Sequence, residues 1–202
     1  MRRFYFDIES LPAGEESMPA LKILYDKKVE KNEKYKVSFE DFHRGTSFEG
    51  EFGRILCIGY AIDDGPLEVI YEEGDEKKIL ESFWKIVKDI DLFIGHNIIE
   101  YDMRFIYQRS IMLGVKPTVE VSFARYRSAP MYDTMKEWGK WSIKNVGLER
   151  LALAMGIPTP KEDIDGSQVY DVYKAGKVDK ILEYCKRDVD TTRAVYKRMT
   201  FL

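Results

Sequence analysis

A chain of 202 residues, 45% hydrophobic and 33% charged, is long enough to close one substantial core and has the make-up of an ordinary globular domain. No apolar run approaches the roughly 18–20 residues that a bilayer demands, and Asp7 and Glu9 cut short the apolar start Phe4-Tyr5-Phe6, so neither a membrane span nor a secretory leader is expected and the default location is cytoplasmic. A net charge of −3 gives no bulk sign of a nucleic-acid binder, although divalent ions on a few carboxylates would lift that objection; Cys57 and Cys185, far apart in apolar surroundings, exclude a disulfide framework and a cysteine-based zinc site and read as reduced, buried thiols.

Residues 3–10 alternate as a strand, with Phe4, Phe6 and Ile8 on one face and Tyr5, Asp7 and Glu9 on the other. Leu11-Pro12-Ala13-Gly14 ends it. Residues 11–50 read as an inserted segment, helical over 18–42 and solvated around Lys27-Lys28 and from Glu30 to Lys36. Ile55 to Ile62 is a buried-type strand, Asp63-Asp64-Gly65-Pro66 a turn, and Leu67 to Tyr71 a returning strand. An amphipathic helix is predicted over 75–89 through Ile79, Phe83, Ile86 and Val87. A short buried strand follows at Leu92 to Gly95. Next comes a helix over about 98–113, with Asn97 as N-cap and Glu100 in capping-box position.

Residues 119–126 and 130–135 read as extended, with Asp133 as the N-cap of a further helix. A short helix is expected from Gly147 to Met155, stopped by Gly156-Ile157-Pro158. Residues 160–168 make a polar loop, 168–174 a short helix, and 177–199 a long one with Ile181, Leu182, Cys185, Val189 and Val195 on its apolar stripe. Early strands with helices between and after them specify an α/β domain with a mixed sheet, spanning residues 1–202.

Three segments carry acids that packing explains poorly. Asp7 and Glu9 lie two apart on a strand and so project from one face, where like charges repel unless a cation compensates. A divalent ion is such a cation, and oxygen-only ligands suit Mg²⁺ or Mn²⁺. Asp102 comes where a strand hands over to a helix, the sheet end at which α/β folds bind ligands. Tyr184 and Asp188 are i and i+4 on the last helix, so hydroxyl and carboxylate converge beside the apolar stripe. Each alone has a bland reading, respectively a solvated sheet face, an acid early in a helix, and a Tyr beside a solvated Asp.

Taken in this order, Phe6-Asp7-Ile8-Glu9, Asn97-x4-Asp102 after Gly95-His96, and Tyr184-x3-Asp188 resemble the three motifs of the DEDD exonuclease superfamily, in its DEDDy branch. The chain resembles the stand-alone predicted exonucleases related to the proofreading domain of family B DNA polymerases. Tyr132-Asp133-Thr134-Met135, Leu148 to Ala152, Lys161 to Ser167 and Tyr184 to Thr192 extend the likeness over most of the chain beyond residues 11–50. One departure is Ile98-Ile99-Glu100, where the polymerase-type motif is often small or glycine-rich. The resemblance implies a ribonuclease-H-like fold, a mixed five-stranded sheet flanked by helices. It also implies two metal ions about 3.5–4 Å apart at the scissile phosphate. Asp7 would bridge both ions, Glu9 and Asp188 would complete one, and Asp102 would hold the other; Tyr184 would orient the attacking water.

The expected activity is 3′–5′ hydrolysis of single-stranded DNA. RNA as substrate, or a silent nucleic-acid-binding module, are the alternatives. Arg125-Tyr126-Arg127 with Trp138, Lys140, Trp141 and Lys144 juxtapose cations and rings as single-strand binding requires, or are core aromatics with surface charges. His96 reads as a packing or capping residue, Lys161 as a solvated lysine or a phosphate contact, and Asp190 as lying off the site face. No polymerase region accompanies these residues, so proofreading within one polypeptide is not expected.

Overall fold

Alternation along residues 3–11 buries side chains on both faces. In the computed structural model, which describes residues 1–32, 34–159 and 164–202, this segment is the central strand β1 (Arg3–Leu11). It pairs antiparallel with β2 (Arg54–Ile62), which pairs antiparallel with β3 (Glu68–Tyr71). On its other side β1 runs parallel to β4 (Leu92–Gly95), which runs parallel to β5 (Met131–Asp133). The sheet order is β3-β2-β1-β4-β5, a mixed five-stranded sheet of ribonuclease-H-like type.

Phe4, Phe6 and Ile8 face α3 (Glu76–Ile86) and α4 (Asp102–Met112), packing with Ile79, Phe83, Trp84, Met103 and Ile106. Each such fully buried side chain contributes roughly 1.5–3 kcal/mol. The opposite face is covered by the long helix α8 (Val178–Thr200), whose Val189 and Tyr196 pack on Tyr5 and Ile94. The face carrying Asp7 and Glu9 therefore looks into the protein, and Glu9 is buried.

The 11–50 segment forms two helices, not one helical stretch over 18–42: α1 (Met18–Lys31) and α2 (Phe39–Gly45), the second started by Ser38 accepting from the Asp41 amide. It is fastened to the end of β1. The Ala13 amide donates to Thr46 Oγ1 at 2.9 Å, and the His43 ring nitrogen Nε2 lies 2.9 Å from the Ala13 carbonyl.

The helix predicted over 98–113 is shorter than expected. It begins at Asp102, after Tyr101, with no side-chain cap, so Asp102 stands in the first turn and not the second. Asn97 does not cap it. Asn97 sits at φ +69 in a turn, and the Asp133 carboxylate accepts from the amides of Asn97 (3.0 Å) and Ile99 (3.2 Å). A distant acid thus satisfies the donors that a local cap was expected to serve, and Ile98 and Ile99 turn into the core. Asp133 does cap α5 (Thr134–Gly139), accepting also from the Met135 and Lys136 amides. The remaining helices, α6 (Leu148–Ala154) and α7 (Val169–Lys174), fall where the periodicity puts them.

Candidate active site

Because β1 and β4 are parallel, the end of β1 that carries Asp7 and Glu9 and the turn leading from β4 to α4 open on the same edge of the sheet. Pairing of β1 with β4 stops at Tyr5–Ile94. Beyond it, the Ile8 amide, between the two acids, donates to Asp102 Oδ1 at 3.0 Å, so the side chain at the start of α4 takes over from a strand partner. The β1–β2 pairing shifts register directly after Glu9, where Leu56 is the extra residue on β2.

The third contributor, α8, crosses β2 at Gly59. A Cβ on Gly59 would lie 2.8 Å from Cys185 Sγ and 3.1 Å from the Cys185 carbonyl oxygen, so only glycine admits the helix this closely. The Gly59 amide donates to Cys185 Sγ at 3.2 Å, and Sγ lies 3.8 Å from Asp7 Oδ2. Among the described residues, ligand atoms of Asp7, Glu9 and Cys185 lie within 4.8 Å of one another. The proximity of Cys185 was invisible in the sequence, where it read only as stripe. Its thiol is raised well above its ordinary range, first by a hydrogen bond with Cys57 and then by burial.

The carboxylates act on one another. Asp7 is raised well above the usual range by burial, then by the charges of Asp102, Asp188 and Glu9. Asp102 is pushed up to about 7, chiefly by burial and further by Asp133 and Asp188, against the lowering effect of the Ile8 amide. Tyr184, buried one turn before Asp188 and hydrogen-bonded to it, is raised far above the usual phenol range by burial and then by Asp188, Glu9 and Asp7. Asp7, Glu9, Asp102, Tyr184 and Asp188 are thus brought to one corner from β1, α4 and α8.

Asp190 stays outside, exposed and paired to Arg193 at 2.7 Å. His96 is structural. Burial lowers its pKa, its Nε2–H donates to the Val146 carbonyl (2.8 Å), and Nδ1 lies 2.8 Å from Thr134 Oγ1. Lys161 lies outside the described residues. Sequence reasoning missed Tyr101, whose hydroxyl bonds Ser10 Oγ at 2.6 Å and so steadies the strand just after Glu9. Its place beside Asp102 was the available signal.

Residues 54–202 match the family described as predicted 3′–5′ exonucleases related to the exonuclease domain of PolB. Asp102, Tyr184 and Asp188 lie inside that span; Asp7 and Glu9 precede it. A DNA polymerase of Archaeoglobus fulgidus is 26% identical over 165 residues, 75% of this chain and 21% of the polymerase. A DNA polymerase of Desulfurococcus sp. (strain Tok) is 35% identical over 86 residues, 37% of this chain and 11% of its own length. The family B DNA polymerase of Pyrobaculum calidifontis shares the fold at TM-score 0.70 and 20% identity, over 99% of this chain and 24% of its own. The chain spans a quarter or less of each of these relatives. By the match over 54–202 the chain belongs to the family of predicted 3′–5′ exonucleases related to the PolB exonuclease domain.

Proposed function

We propose that residues 1–202 form one cytoplasmic exonuclease unit that removes nucleotides from the 3′ end of single-stranded DNA with two Mg²⁺ or Mn²⁺ ions. The observation that carries this reading is the like-charged corner in which Asp7 meets the charges of Asp102, Asp188 and Glu9, with Tyr184 against Asp188. Buried acids of one sign are costly unless they neutralise or meet a cation. The oxygen donors of these carboxylates suit hard divalent ions.

Asp7, Glu9, Asp102 and Asp188 would hold the ions. When bound, the ions lower the pKa of a water and neutralise charge growing on the phosphate. The other roles belong to the protein. The Ile8 amide fixes the rotamer of Asp102. Tyr184, with its pKa far above neutrality, keeps its proton and can orient water as a hydrogen-bonding group without acting as a base. Hydrolysis consumes one water and releases a nucleoside 5′-monophosphate, and no protein nucleophile is required. The DNA polymerases among the relatives favour DNA as the substrate.

The test is a 5′-labelled single strand incubated with the protein. A ladder of shortened products is expected with Mg²⁺ or Mn²⁺ and not with chelator. Asp7→Ala should reduce the rate about 10³-fold, corresponding to the several kcal/mol of charge stabilisation a bound ion supplies, with the circular dichroism spectrum unchanged. A ladder that survives chelation and Asp7→Ala overturns the reading.

A further inference from the structure

The turn between β4 and α4 that presents Asp102 also forms one wall of a second feature, an open cleft of about 250 Å³ lined by Glu100, Arg125, Tyr126, Lys136, Trp141 and Ile143. Two of its apolar groups are uncovered, while Trp141 is half-buried against the core. Tyr126 is 76% exposed, and Ile143 is fully exposed. The Tyr126 and Trp141 rings lie 5.2 Å apart at an interplanar angle of 47°. Both residues hold left-handed backbone, φ +64 and +62, a conformation costly for aromatic side chains, and Lys140 before Trp141 does the same at φ +47.

The charges around the rings suit a polyanion. Arg125 and Lys136 line the cleft, and its acid, Glu100, is already engaged by Arg104 at 3.1 Å and Arg125 at 3.4 Å. The cleft is also built into the frame of the acid corner. Glu100 stands two residues before Asp102, Asp133 binds the amides of Asn97, Ile99, Met135 and Lys136, and His96 ties this turn to Val146 beyond Trp141.

We infer that this cleft is a base-stacking subsite for single-stranded DNA, in which Tyr126 and Trp141 receive a base upstream of the 3′ end while Arg125 and Lys136 meet the backbone phosphates. The inference rests on the exonuclease reading above for the position of the 3′ end. An aromatic face accepts any base, so this contact gives affinity without sequence preference, and the cations give it salt dependence.

The experiment separates the two readings. Binding of a 5′-fluorescein oligothymidylate is measured by fluorescence polarisation in chelator, where no hydrolysis occurs. Tyr126→Ala should raise Kd roughly tenfold or more, as removal of one stacking ring does, whereas Tyr126→Phe, which keeps the ring, should bind within about twofold. Arg125→Ala should flatten the slope of log K against log salt by about 0.7. Unchanged binding by Tyr126→Ala, or no binding by the unsubstituted protein, overturns the subsite. Hydrolysis of the p-nitrophenyl ester of thymidine 5′-phosphate, which has no upstream strand, reports on the acid corner alone. Absence of that hydrolysis together with tyrosine-dependent strand binding supports the subsite and overturns the exonuclease reading.

Discussion

Asp102 and Arg109 are buried charges on the same helix, and the fold treats them in opposite ways. Arg109 forms a two-pronged pair with Glu76, Nε to Oε1 and Nη2 to Oε2, both at 2.9 Å, and donates from Nη1 to the Gly50 carbonyl at 3.2 Å. Glu76 Oε1 also accepts from the Ile55 amide at 2.8 Å. Opposite charges and spare lone pairs are satisfied together, which is the condition for a buried pair to be tolerated. It locks α4 to α3, to the start of β2 and to the end of the 11–50 segment. Around Asp102 the charged neighbours Asp7, Asp133 and Asp188 share its sign, and its pKa rises. The pair fastens one end of the helix to the scaffold, while the other end holds like charges together.

Breaking the pair is the most disruptive test of this contrast. Arg109→Ala leaves Glu76 buried without its cation and should cost about 3–5 kcal/mol, lowering Tm by roughly 6–20 °C for a chain of this size. Thermal denaturation followed by circular dichroism measures it, and a change of under about 2 °C would mean that the pair holds nothing. Gly59→Ala probes how closely α8 must approach β2. Its added methyl meets Cys185 at 2.8 Å and should cost about 1–3 kcal/mol. Since the strain pushes α8, with Tyr184 and Asp188, away from Asp7 and Glu9, nuclease activity should fall further than folded fraction at the assay temperature; equal falls would detach α8's position from the chemistry.

The smallest effect sharpens the electrostatic side. Asp7 and Asp102 are raised above their unfolded value of 3.8, Asp102 to about 7, so the native metal-free protein binds more protons than the unfolded chain between these limits. The contribution of Asp102 is complete below about pH 4 and is lost as pH rises through about 7, and that of Asp7, raised in the same direction, is lost likewise as pH rises. With chelator present, Tm should therefore be a few degrees higher at pH 5 than at pH 8. Mn²⁺, binding the ionised native carboxylates, should narrow or reverse that difference. A chelated protein that gains stability from pH 5 to 8 would contradict the raised carboxyls.

The legible parts of this molecule are those set by near neighbours. Asp7 and Glu9 share a face because a strand has a period of two. Tyr184 and Asp188 share one because a helix brings i and i+4 together. Asp133 was readable as a cap because its own side chain reaches the amides just after it. Where the reading failed, a remote group intervened. Asn97 and Glu100 had the spacing of a capping box, yet the amides of Asn97 and Ile99 are taken by Asp133, more than thirty residues away. That displacement moves the helix start to Asp102 and sends its carboxylate to Ile8.

The sequence by itself determined the α/β class, the order of strands and helices, and which side chains had a chemistry that solvation or packing explained badly. Hydrophobic period and local hydrogen bonding decide these over a few residues, so they can be read without coordinates. Only the tertiary structure decided that Cys185 lies against Gly59 and Asp7, that Arg109 closes on Glu76, and that Tyr126 meets Trp141 beside the turn carrying Glu100. Desolvation and charge act through space, and which charges become neighbours is fixed by packing helices on a twisted sheet.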